Sequence, residues 1–251
     1  MTLAEIAPYI ALVAVVAALY SSVGHGGASG YIAVLSLAGL TAHVVGSTAL
    51  TMNLLVAGIA LVAYARQGHF RWHIVWPFLV TSVPAAFVGG KIKLDEQTYF
   101  LILAAVLVFA AVRLFMPRPD AKKEPGHVSL LPALVIGAAI GLLSGVVGVG
   151  GGIFLSPLLL LLGWAGAKET AAASALFILV NSGAGILGRV SEGAYEPAYL
   201  VPLLAAGLVG ALVGSTVGAA RLKPIAVQRT LAVVLIIAAG KMVLTNGPWS
   251  A

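Results

Sequence analysis

The chain has 251 residues, of which 61 % are hydrophobic and only 9 % charged, whereas soluble domains carry roughly 25 % charged residues. With a mean hydropathy of +1.07, it has too few charges to cover a water-facing surface, which argues against a soluble globular enzyme and against a disordered protein. The 14 Lys and Arg against 8 Asp and Glu give a net charge of +6, too thinly spread for a nucleic-acid-binding surface, and the absence of cysteine removes disulfides and thiolate metal sites.

What remains is an all-α polytopic membrane protein. Met1 to Tyr20 has no Lys or Arg and carries Glu5, so it reads as a retained first transmembrane helix with its N-terminus outside and not as a cleaved signal peptide. Eight stretches approach the length of a span: 3–22, 44–65, 74–90, 99–116, 130–147, 170–187, 199–219 and 227–244. Two apolar stretches, 31–40 and 153–164, are shorter, and each follows a glycine cluster. The apolar runs are continuous and do not alternate as barrel strands must. The polar segment 117–129 divides a first transmembrane repeat, 1–116, from a second, 130–251.

The halves align at a nearly constant offset. Gly24-His25-Gly26-Gly27 matches Gly148-Val149-Gly150-Gly151 at 124, Pro77 matches Pro202 at 125, and Thr48-Ala49-Leu50 matches Ser174-Ala175-Leu176 at 126. Each half therefore reads as four long helices plus one short helix after a Gly-rich break, about ten membrane segments in all, a plan common among transporters. If the short helices cross fully, four cations (Lys91, Lys93, Arg189, Lys241) fall on one side and ten on the other; if they re-enter, the split is eight to six. The positive-inside rule prefers the first arrangement. Its odd number of crossings per half inverts the repeats and puts the 117–129 linker in the cytoplasm.

Uncoiled backbone at membrane depth is tolerated where it is buried or lines a cavity. A break frees amide N–H groups at the start of the next helix, and with the helix dipole these make an anion site. Glycines can equally serve tight helix packing. That is the reading for Gly210, Gly214 and Gly218, and for Gly137, Gly141 and Gly145, which repeat every four residues. No acidic residue falls within a long span, although cation carriers usually bury carboxylates there. The spans instead hold neutral hydrogen-bonding groups, among them Ser29, Thr48, Thr51, Asn53, Ser144, Ser156, Ser174, Asn181 and Ser182. Each hydroxyl can also bond back to its own helix. His25 lies in the first break opposite Val149, where it can donate to an anion, carry a co-transported proton or make a structural hydrogen bond. The candidate substrate-binding residues are Gly24, His25, Gly26, Gly27, Ser29, Asn53, Ser144, Gly148, Gly150, Gly151, Gly152, Ser174 and Asn181. No grouping has metal-ligand spacing, and no cofactor is implied.

The clusters Ser22-Val23-Gly24-His25-Gly26-Gly27 and Ser144-Gly145-Val146-Val147-Gly148-Val149-Gly150-Gly151-Gly152-Ile153-Phe154-Leu155-Ser156-Pro157 resemble those of the TauE/SafE family, also called the toluenesulfonate uptake permeases. The first copy departs from the pattern with Ala28-Ser29-Gly30 and no proline near Ala33. The resemblance implies a multi-pass permease of the bacterial inner membrane that moves sulfite, sulfoacetate or other organosulfonates, usually outward. From the residues alone the expectation is coarser: a small anion as partner, the bilayer as solvent, protons as a candidate coupling ion, and alternating access. Two alternatives stand beside it. A carrier of a cation or divalent metal would lack its expected carboxylates. An intramembrane serine protease built on Gly27-Ala28-Ser29-Gly30 would lack a histidine on another long span to activate the serine.

Overall fold

Long apolar runs coil into helices because a helix satisfies its own amide groups where no water can. The computed structural model describes residues 3–22, 27–116, 128–213 and 224–246. These form ten helices and, among the described residues, no strand: α1 (Leu3–Ser22), α2 (Ala28–Leu37), α3 (Ala42–Arg66), α4 (Trp72–Lys91), α5 (Glu96–Phe115), α6 (Leu130–Val147), α7 (Gly152–Leu161), α8 (Ala167–Ser191), α9 (Leu200–Val213) and α10 (Pro224–Asn246). The polar segment 117–127 and the stretch 214–223, with Gly214 and Gly218, lie outside the described residues.

Five described helices are long and apolar enough to cross a membrane: Ala42–Arg66, Trp72–Lys91, Glu96–Arg113, Leu130–Val147 and Ala167–Ser191. The described apolar parts of the other three expected spans are shorter: Glu5–Ser21, Leu200–Val213 and Leu235–Leu244. Large apolar side chains point outward all round the bundle, with Val201 81 %, Leu131 73 % and Leu187 62 % exposed. Such a surface is at home only in lipid.

Ion pairs and loops sort the helix ends onto two faces. Arg71, before α4, bonds Glu169 in the first turn of α8 at 3.5 Å. At the other end of the same two helices Lys91 pairs with Glu192 at 3.2 Å. The start of α3 belongs to this second face, since Ser47 and Thr48 accept from the backbone N–H groups of Glu196 and Ala198 after α8. Lys241 of α10 donates to Leu37 O at the end of α2 there too. Asp95 caps α5 by accepting from Thr98 N at 2.9 Å, and hydrogen bonding from the Thr98 side chain, then its backbone, holds the carboxyl below the ordinary value.

Glycine sets the closest seam. A methyl group on Gly137, Gly141 or Gly145 of α6 would strike the carbonyl oxygens of Phe78, Ser82 and Ala86 of α4. Gly188 of α8 meets Phe87 O in the same way, and Gly210 of α9 meets Ala14 O of α1. These glycines serve packing, as expected of small-residue stripes in lipid. Gly141→Ile should force α4 and α6 apart. Overpacking of this kind costs about 1–3 kcal/mol, and a lowered unfolding temperature in detergent with reduced monodisperse yield is the expected result.

The structure shifts the short helices toward the N-terminus, to Ala28–Leu37 and Gly152–Leu161 against the expected 31–40 and 153–164, and extends α8 past both bounds read from sequence. Ala28, Ser29 and Gly30 already form the first turn of α2, because small residues after a glycine cap can still coil. The helix expected to stop at 187 runs to Ser191, since Gly188 lets it stay against α4. That extension draws Arg189 into the buried interior, where it is 5 % exposed.

Candidate functional site

The ten-residue helices α2 and α7 begin the same way. Gly27 caps α2 at φ 81° and Gly151 caps α7 at φ 80°, both left-handed. L-residues avoid this region and glycine enters it freely. Gly27 O accepts from Gly30 N and Tyr31 N, and Gly151 O accepts from Phe154 N and Leu155 N. The N–H groups of Ala28 and Ser29, and of Gly152 and Ile153, lie ahead of these first acceptors and are the free donors of each helix start.

Both starts open on one place. A cavity of about 20 Å³ is lined by Tyr20, Gly27, Ala28, Ser29, Val149, Ile153 and Ile178, so residues from both breaks share a wall. From it α2 runs to the Lys91 face. The α7 helix runs antiparallel to α8, with Gly152 beside Ile178 and Ser156 bonded to Ser174 at 2.8 Å, and so reaches the Arg71 face. Ten helical residues span about 15 Å, about half the thickness of a hydrocarbon layer.

Asn53 of α3 flanks the second break. A methyl group on Gly150 would sit 2.8 Å from Asn53 Nδ2 and 3.0 Å from Ser182 Oγ. Asn53 Nδ2 donates to Ser182 Oγ at 3.2 Å, while Asn53 Oδ1, fully buried, has no partner. Ser29 shares a hydrogen bond of 2.7 Å with Tyr20 OH. The described lining carries no carboxylate.

The other expected site residues divide. Gly148 has φ 89° and ends α6, with its N–H on Ser144 O at 2.8 Å. It lies against Gly46, where a methyl group would meet Gly46 O at 2.8 Å, so it turns the chain outside the cavity lining. Ser174 joins Ser156 and ties α7 to α8. Asn181 Nδ2 bonds Phe177 O of its own helix at 2.8 Å. Ser144 Oγ is buried without a partner. Thr48 anchors Ala198 N, and Thr51 bonds Tyr195 OH at 2.8 Å, so these hydroxyls fasten the α8–α9 connection onto α3. Gly24, His25 and Gly26 lie outside the described residues.

Tyr20 and Ile178 were missed as lining residues because an aromatic or aliphatic side chain in a span carries no polar signal. Arg189 was also missed. It donates from Nη2 to Val146 O at 2.9 Å and to Gly145 O at 3.3 Å, beside Tyr99 OH on Val147 O at 2.8 Å. A buried hydroxyl and a buried guanidinium thus hold the last turn before the second break.

A helical bundle in which two short, glycine-capped helices begin at one cavity is an arrangement that membrane transporters use. Residues 9–242 match the family described as "Sulfite exporter TauE/SafE", and the chain belongs to that family. It is 37 % identical over 211 residues to "Probable membrane transporter protein y4hK" of Sinorhizobium fredii, covering 80 % of this chain and 85 % of that one. It is 29 % identical over 208 residues to "Probable membrane transporter protein YdhB" of Bacillus subtilis, covering 77 % and 82 %. A "Probable membrane transporter protein" of Xylella fastidiosa is 26 % identical over 106 residues, covering 40 % and 41 %. No solved structure matches.

Proposed function

We propose that the protein is a carrier of small oxyanions of the sulfite and organosulfonate class across the bacterial inner membrane. The anion sits where α2 and α7 begin, on the N–H groups of Ala28, Ser29, Gly152 and Ile153. One observation carries this reading: two left-handed glycine caps, Gly27 and Gly151, 124 residues apart, open onto a single cavity without a carboxylate in its described lining. Each helix start acts as roughly half a positive charge, so the pair offsets about one negative charge. The sulfur in the substrate class comes from the family alone.

The chain is two inverted repeats, 1–116 and 130–251. Support comes from packing partners that exchange between halves: α4 packs on α6 as α9 packs on α1, and α4 on α8 as α9 on α3. It also comes from α2 and α7 leaving the cavity toward opposite faces. With the Arg71 face in the cytoplasm, the charge distribution obeys the positive-inside rule. A cavity of about 20 Å³ holds about one water, too little for a sulfonate, so one bundle must rock against the other to admit it. Protons are the coupling ion in this scheme, and His25 in the first break is the residue suited to carry them.

Reconstituted into liposomes, the protein should give saturable flux of labelled sulfite and of methanesulfonate, driven faster by an imposed pH gradient. Saturable flux of a divalent metal ion with none of either anion would overturn the assignment.

A further inference from the structure

At the second break two helix poles meet. The C-terminus of α6 presents a negative pole and the N-terminus of α7 a positive one, only a few residues apart, and left alone they would largely cancel. The last carbonyls of α6 are all occupied. Ser144 O accepts from Gly148 N, Gly145 O and Val146 O accept from Arg189, and Val147 O accepts from Tyr99 OH. Arginine keeps its charge in proteins and spreads it over a rigid fork. Gly46 makes room for that fork, since a methyl group there would sit 2.6 Å from Nη2 and 3.0 Å from Nη1. Glu169 and Glu192 pair with other cations, Arg71 and Lys91. Arg189 Nε is buried with no hydrogen-bond partner.

We propose that Arg189 is the charge-selecting residue of the carrier: it masks the negative end of α6, so that only the positive ends of α7 and α2 face the cavity. It is a positioning and electrostatic residue and does not touch the substrate. The inference rests on the anion-site reading above. It also accounts for a cation with no carboxylate partner being kept inside a lipid-embedded bundle, where an uncompensated charge is costly: the carbonyl dipoles of α6 are its counter-charge. Arg189 therefore reaches the break through Val146, Val147 and Gly148, and Val149 already lines the cavity. The matched helix of the first half has Ala63 at the offset of 126.

The test separates an electrostatic role from a purely structural one by substrate valence. Binding of methanesulfonate, a monoanion, and of sulfate, a dianion, is measured by titration calorimetry on the purified full-length protein for wild type, Arg189→Gln, Arg189→Lys and Tyr99→Phe. Loss of a fixed positive charge weakens a dianion by about the square of the factor for a monoanion, because the Coulomb term scales with charge. Arg189→Gln should therefore raise the methanesulfonate dissociation constant about 10-fold and the sulfate constant about 100-fold. Arg189→Lys should restore most of both, and Tyr99→Phe should shift both equally and slightly. Equal weakening of the two anions in Arg189→Gln, or none, overturns the electrostatic role while leaving the anion site standing. A wild-type protein that binds neither anion removes the anion site and this inference with it. If Arg189→Gln does not fold, Arg189→Lys carries the test: a folded protein with weakened binding of both anions to the same degree overturns the proposal.

Discussion

Replacing Gly150 by alanine should lower anion flux in proteoliposomes by about 100-fold, the loss that follows from misplacing a site by about an ångström, in a protein that still folds. Two separate costs act at this residue. Its φ of 77° is left-handed, and an L-residue there costs about 1–2 kcal/mol. The added methyl group would also press on Asn53 Nδ2 at 2.8 Å, Ile178 Cγ2 at 2.9 Å and Ser182 Oγ at 3.0 Å. Relief requires the side chains of Asn53, Ile178 and Ser182 to shift together.

Gly163 supplies the control. It has φ 65°, and a methyl group there meets nothing within 4 Å. Gly163→Ala therefore carries the backbone cost without the clash, just past the far end of α7. Near-normal flux in Gly163→Ala beside the loss in Gly150→Ala assigns the effect to the crowding of the break. Equal loss in both would mean that α7 matters only as a folded element and that the neighbourhood of Gly150 holds no substrate.

The starts of the two short helices were legible in the sequence because glycine clusters are conspicuous against uninterrupted apolar runs, and Gly27 and Gly151, 124 residues apart, both cap a ten-residue helix in the left-handed region. Which hydroxyls face the cavity was not legible. Ser156 and Ser174 satisfy each other, and Thr48 and Thr51 are used by the α8–α9 connection. A list of polar residues in spans carries no information about which side of a helix each one takes when the helix is buried on most sides. Arg189 was hidden for a different reason. An arginine at the end of an apolar run reads as an interfacial anchor, and its burial depends on Gly46 and on the carbonyls of Gly145 and Val146, which lie in other helices.

The proposed site would hold an anion with few charges. A permanent cation in the cavity would hold an anion too strongly to release it, whereas amide donors and helix dipoles supply partial charge in a fixed place. In the proposed scheme Arg189, bonded to Gly145 O and Val146 O in the last turn of α6, acts on the cavity through the α6 dipole and not by direct contact.

Asn53→Asp tests the sign of that field most directly. The side chain keeps its size, and Asn53 Oδ1, already buried without a partner, becomes one end of a carboxylate. Two like unit charges about 4 Å apart repel by about 4 kcal/mol at an effective dielectric constant of about 20, which corresponds to roughly 1000-fold weaker anion occupancy. Methanesulfonate flux should therefore vanish near neutral pH. Burial raises the pKa of a carboxyl group, so its protonated, neutral form should return as the pH falls, and flux should recover on acidification, because methanesulfonate itself stays a monoanion. Asn53→Ala, which loses the bond to Ser182 Oγ and the packing of a buried amide but adds no charge, should keep measurable flux at all pH values. A cation carrier makes the opposite prediction: the introduced carboxylate would strengthen its cargo's site, and flux would rise with pH. The sign of the pH slope in Asn53→Asp thus decides between the two, since a field that attracts anions and one that attracts cations respond in opposite directions to the same added charge.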